Sequence, residues 1–204
     1  MPGDLNRTVA HDVDVMSHII ESGRVFLRPF ESTDAELYRG WRADARPMAL
    51  AGWPDRAPMS LAQVEARIER LAKEQGDNFM TFLICLLADD RPIGEVMFGH
   101  LDRGNGSAEL GIFIGEPDEW GKGYGTDAVN ALVDFGFGEL RLERIWLNVG
   151  TENERARRAY ERAGFVHEGT LRHDRYESGR HTDGHVLSII RDEWLALPRR
   201  ATTA

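Results

Sequence analysis

Apolar residues crowd positions 109–115, where Leu110, Ile112, Phe113 and Ile114 are too dense for an exposed loop and the run is too short for a helix. The pattern therefore predicts a strand. Glu116-Pro117-Asp118 supplies a turn, and from Tyr124 onward Ala128, Leu132 and Phe135 recur at helical spacing. A helix thus begins at Gly121-Lys122-Gly123-Tyr124-Gly125. Upstream, residues 24–30 read as a strand ended by Pro29, with Ser32 or Thr33 capping a helix through Leu37, Tyr38 and Trp41. Residues 46–59 read as a loop rich in proline and glycine that holds Met48 and Trp53, either a wall of a substrate pocket or a core plug. Ser60 opens an amphipathic helix with Leu61, Val64, Ile68 and Leu71 on one face.

Residues 79–88 and 93–101 form two strands joined at Asp89-Asp90-Arg91-Pro92, so three consecutive antiparallel strands lead to the glycine-rich turn. Residues 144–149 form the next strand, parallel to the 109–115 strand because a helix connects the two. Thr151 to Glu154 has capping-box spacing for a short helix that Gly164 stops. The tail supplies strands at 165–169, 174–178 and 186–191, with a turn near Gly179. Residues 1–22 read as a mobile arm or an edge addition, 23–197 as one domain and 198–204 as a tail.

Composition narrows the function. A chain of 204 residues, 42% hydrophobic and 29% charged, suits one sizeable core. Its net charge of −9 argues against a nonspecific nucleic-acid binder, which needs a basic face. Cys85 is the one cysteine, so no disulfide framework forms within the chain, and no apolar run reaches the length of a membrane span. An intracellular, cytoplasmic setting is the expectation. His167, His173, His181 and His185 carry no cysteine or carboxylate pattern that completes a metal site.

The chemistry lies at the helix start, where backbone N–H groups lack internal partners and the macrodipole is positive. Glycines at alternate positions admit a phosphate to the backbone, and Lys122 adds positive charge. A plain strand-to-helix turn would use the same letters. A Walker A loop fails twice: Glu116 stands at its first glycine and Gly123 at its hydroxyl. Gly123-x-Gly125-x-x-Ala128 fits the alanine-ended dinucleotide fingerprint, but Asn148 occupies the place of its acidic residue.

Two motifs then resolve the choice. Trp120-Gly-Lys-Gly-Tyr-Gly125, followed after one helix and one strand by Asn153-Glu-Arg-Ala-Arg-Arg-Ala-Tyr160-Glu-Arg-Ala-Gly-Phe165, resembles the GCN5-related N-acetyltransferases, in the branch of ribosomal-protein N-terminal and spermidine acetyltransferases. The resemblance runs from about residue 24 to residue 194. It departs at Trp120, where the family has Gln or Arg. It implies an α/β fold with a mixed, mostly antiparallel sheet of about seven strands, helices on both faces and splayed central strands.

By this resemblance the backbone of Phe113, Ile114 and Gly115 pairs with pantetheine. The turn residues Gly121, Lys122, Gly123, Tyr124, Gly125 and Thr126 hold the pyrophosphate, and Asn153, Arg155 and Ala156 complete an acetyl-CoA site, with acetyl-CoA as co-substrate and no metal. The acceptor implied is a peptide N-terminus, a polyamine or another small amine; a homodimer is left open. A non-catalytic acyl-CoA-binding regulator on the same fold is the alternative. An amine must be neutral to attack a thioester, and with a pKa of about 10.4 only roughly one molecule in a thousand is neutral at pH 7. Glu109 and Glu95 are the candidate bases, each otherwise a solvated strand residue. The departing thiolate needs a proton, for which the resemblance nominates Tyr160, otherwise a core tyrosine. Of Arg155, Arg157, Arg158 and Arg162, each either meets the coenzyme's ribose phosphate or stands on a solvated helix face.

Overall fold

The computed structural model describes residues 20–50, 58–177 and 179–198. Trp53 and the rest of 51–57 lie outside the described residues, as do most of the N-terminal arm and the C-terminal tail. Eight strands form one sheet in the order β1-β2-β3-β4-β5-β6-β8-β7. They are β1 (Ile20–Ser22), β2 (Val25–Arg28), β3 (Met80–Leu86), β4 (Pro92–Asp102), β5 (Ser107–Ile114), β6 (Arg144–Gly150), β7 (Val166–Glu177) and β8 (Arg180–Ile190). The strand beyond the expected seven is β1, an edge addition to β2.

Alternation along the strands divides the core into two layers. Leu27, Ile84, Val96, Phe98 and Leu110 face α4 (Tyr124–Gly138) and α5 (Glu154–Arg162), while Phe26, Leu83, Cys85 and Phe113 face α1 (Ala35–Ala43), α2 (Ala45–Leu50) and α3 (Leu61–Glu74). Helices therefore cover both faces. The short α6 (Arg191–Ala196) closes the chain and sets Trp194 against Phe137 at 5.3 Å.

Among the described strands one neighbouring pair is parallel. β5 and β6 pair through Ser107–Arg144, Ala108–Ile145 and Glu109–Trp146, and there the pairing stops, although β5 runs on to Ile114 and β6 to Gly150. The strands splay, and their unpaired lengths face a gap in the middle of the sheet.

Several local readings change. α2 occupies the start of the expected loop because Asp44 accepts the Arg46 N–H at 2.9 Å and Pro47 sits in the first turn, where a missing N–H costs nothing. Before α1, Ser32 and Thr33 form a 3₁₀ turn, and Asp34 does the anchoring: it accepts the Glu31 N–H at 2.7 Å and two Arg28 bonds at 2.8 Å. Asn153, not Thr151, caps α5, its Oδ1 accepting the Ala156 N–H at 3.1 Å. β7 is continuous where two strands were expected, with register shifts that let the His173 N–H reach Asp183 at 2.9 Å. β8 likewise begins at Arg180 rather than 186, and Arg191 opens α6.

Candidate functional site

The gap between β5 and β6 opens into a cleft of about 920 Å³. Its walls collect Pro47 and Ala49 of α2, Glu95 and Met97 of β4, Glu109 to Ile114 of β5, the turn entering α4, Asn148 to Gly150 of β6, residues between Asn153 and Arg162 at α5, and Arg175 of β7. Of the residues expected at the site, Glu95, Glu109, Phe113, Ile114, Gly121, Gly123, Tyr124, Gly125, Thr126, Asn153, Arg155, Ala156 and Tyr160 all line it. Gly115 and Lys122 do not.

The two exceptions have physical causes. The Gly115 N–H donates to the Ile93 carbonyl at 2.9 Å, so it is spent within the sheet. Gly115 is needed for another reason: a Cβ there would stand 2.3 Å from the Trp41 ring. Since antiparallel ladder bonds alternate, Phe113 also turns its backbone groups to β4, and those of Ile112 and Ile114 face the gap. The Ile114 carbonyl accepts the Trp120 indole N–H at 3.1 Å, which fastens the residue where the sequence departs from the family pattern. Lys122 pairs with Glu119, itself a cleft residue, at 2.9 Å, and Arg91 reaches the same carboxylate at 2.6 Å. Lys122 and Arg91 hold the buried Glu119 below its ordinary carboxylate value. The positive charge assigned to Lys122 is thus already engaged by Glu119.

The turn itself presents backbone. Gly121 and Gly123 have φ of +79° and +92°, a left-handed region that favours glycine, and Gly123 caps α4 with no side-chain bond. The amides of the Thr126 and Asp127 region fold back to the Gly123 carbonyl at 3.0 and 3.1 Å, leaving the earlier N–H groups of the turn for an anion. Across the cleft, Asn153 spends its Oδ1 on the α5 cap. Among the α5 arginines, Arg157 pairs with Glu161 and Glu154, and Arg158 with Glu154, so these two are helix-surface pairs. Arg155 and Arg162 line the cleft, and Arg155 lies 5.5 Å above the Trp120 ring.

Tyr160, Glu95 and Glu109 are among the acid–base groups that line the cleft. Tyr160 sits among core residues, 5.9 Å from Phe165, yet borders the cleft. Burial pushes its phenol up to about 12, against an opposing pull from the positive charge of Arg175. Glu95 is 2% exposed; its Oε1 accepts the Tyr38 hydroxyl at 3.1 Å and its Oε2 has no partner. Burial raises its pKa above the ordinary 4.5, and Arg67, Tyr38 and Arg42 oppose the rise. Glu109 differs: it is partly exposed and lies 2.9 Å from His100 Nδ1, whose ring stacks on Trp146. Arg175 and His100 are site neighbours that no local pattern marks.

No helix among the described residues is long and apolar enough to cross a membrane. Residues 24–166 match the model of the acetyltransferase (GNAT) domain. The chain is 33% identical over 177 residues to a probable N-acetyltransferase, YjcK, of Bacillus subtilis, covering 84% of this chain and 97% of that one. It is 32% identical over 172 residues to spermidine N(1)-acetyltransferase of Escherichia coli K12, covering 84% and 89%. Two other bacterial relatives, 35% and 37% identical, are matched over only 63% and 59% of their own lengths. The crystal structure of spermidine N-acetyltransferase from Vibrio cholerae in complex with CoA and spermine superposes with a TM-score of 0.75 at 26% identity, covering 84% of this chain and 98% of that one.

Proposed function

Because this chain belongs to the GNAT acetyltransferase family, we propose that it is an acetyl-CoA-dependent N-acetyltransferase whose acceptor is a small amine carrying more than one positive charge. The observation that carries this reading is the splay beyond Glu109–Trp146, which opens beside the glycine turn and is lined by Glu95 and Tyr160. The turn's N–H groups receive the pyrophosphate, and the backbone of Ile112 with the Ile114 N–H receives the pantetheine arm, pointing the thioester into the gap.

Transfer is direct. The acceptor ammonium gives a proton to Glu95 Oε2, the freed nitrogen attacks the thioester carbonyl, and the N–C bond forms as the C–S bond breaks. A buried carboxylate with a raised pKa suits a base for an amine. Tyr160, kept protonated by burial, gives its proton to the departing thiolate, the charge of Arg175 eases formation of the phenolate, and the second proton shed by the acylated nitrogen restores the phenol.

The acceptor class follows from spacing. Glu95 lies opposite Phe113, and side chains 109, 111 and 113 of β5 point to the same face, so the backbone positions that carry the two carboxylates stand about 13 Å apart along the strand. Between them the Met97 side chain lies against Gly111, where a Cβ would stand 3.1 Å from the Met97 Cγ. An aliphatic chain with an amine at each end bridges such a span, its reacting end at Glu95 and its distal ammonium at Glu109; the spermidine acetyltransferases among the relatives support this reading. A triamine is expected to show kcat/KM at least about tenfold above that of a monoamine with the same reacting end, and Glu109→Gln to abolish most of the difference by raising KM. Equal values for the two acceptors in a thiol-release assay would rule the two-carboxylate assignment out.

A further inference from the structure

We propose that Arg24 is a positioning residue for coenzyme binding, acting through the turn between β5 and α4; the inference rests on the reading of that turn as the pyrophosphate site. Arg24 stands at the start of β2, yet its Nη1 donates to the Lys122 carbonyl at 2.9 Å and its Nε to Asp127 Oδ2 at 2.8 Å. Its own N–H adds a second bond to Asp127 at 3.3 Å, and its guanidinium lies 4.8 Å from the Tyr124 ring centre.

Each contact answers a problem that an anion at this turn would meet. Asp127 lies in the first turn of α4, where its negative charge would oppose a phosphate, and Arg24 pairs that charge. The Lys122 carbonyl is an acceptor that would repel phosphate oxygens if it faced them, and its bond to Arg24 draws it toward β2. The packing is close: a Cβ on Gly123 would stand 2.7 Å from the Arg24 guanidinium, and one on Gly23 2.7 Å from the Asp127 carboxyl. The side chain of Lys122 is fixed separately through Glu119 and Arg91. The turn is therefore held on its backbone by Arg24 and on its side chain by Glu119, and its N–H groups are set before the ligand arrives.

Because the Arg24 side chain is 54% exposed, its charge is well screened, and the fork geometry carries the effect. Lysine in its place keeps the charge and loses the fork. The test is calorimetric titration of coenzyme A into wild type, Arg24→Ala and Arg24→Lys, with kinetics on acetyl-CoA and on S-acetylpantetheine, which lacks the pyrophosphate. Both variants are expected to weaken coenzyme A binding by about tenfold or more, with turnover of the truncated donor within about twofold of wild type. Wild-type affinity in Arg24→Ala, an equal loss with both donors, or full rescue by lysine would each overturn the inference. Failure of the wild type itself to bind coenzyme A would instead overturn the functional reading, and the inference with it.

Discussion

Tyr160→Phe is expected to lower kcat by about a hundredfold or more while leaving coenzyme A affinity close to wild type, since a positioned general acid contributes roughly 10²–10⁴ in rate. The substitution removes one hydroxyl from a core ring of α5 packed against Phe165, so the fold has little to lose. Burial keeps the phenol protonated throughout the working range, which is the form a donor to sulfur must have. A thiolate of reference pKa near 8.5 is a poor leaving group while unprotonated and buried, and the loss should fall on the chemical step. Stopped-flow single-turnover measurement of thiol release, alongside coenzyme titration, separates the two. Unchanged single-turnover rate with a true acceptor would make Tyr160 a core residue only.

Glu95→Gln is expected to cost about a hundredfold or more in kcat/KM and to remove the acidic limb of the pH–rate profile. The sign follows from burial. A carboxyl whose folded pKa is raised stays protonated to higher pH than a free one, so the base form, and the rate, grow as pH climbs through that raised value, above 4.5. Linkage gives stability the opposite trend: the protonated carboxyl favours the fold at low pH, and that contribution is lost as pH rises through the folded pKa. Glutamine can still accept the Tyr38 hydroxyl, so the variant should unfold at or above the wild-type temperature near neutral pH while its activity collapses. A variant that loses activity and melting temperature together would point to a structural role for Glu95.

What the letters carried is what periodicity and turn chemistry encode. The β5 run, the glycine entry to α4, the β3–β4–β5 meander and the parallel β6 all follow from local pattern. The splay does not, because it depends on where two strands 37 residues or so apart cease to pair; only the resemblance implied it. Glu95 sits in a strand pattern that equally suits a solvated carboxylate, and it becomes buried because α1 and α3 bring Tyr38, Arg42 and Arg67 over it. Lys122 looked like a phosphate ligand because the buried Glu119 that claims it is three residues away and reads as ordinary turn polarity. Arg24 is 98 residues from the carbonyl it holds, a distance over which sequence pattern has no reach.

The most direct test of the account mixes the protein with acetyl-CoA and a panel of primary amines, triamines and peptide N-termini among them, and follows thiol release and amine mass together. One N-acetylated amine is expected for each coenzyme A released, fastest with the triamine. Coenzyme binding without acetylation of any amine in the panel would contradict it, and would leave an acyl-CoA-binding protein that performs no transfer.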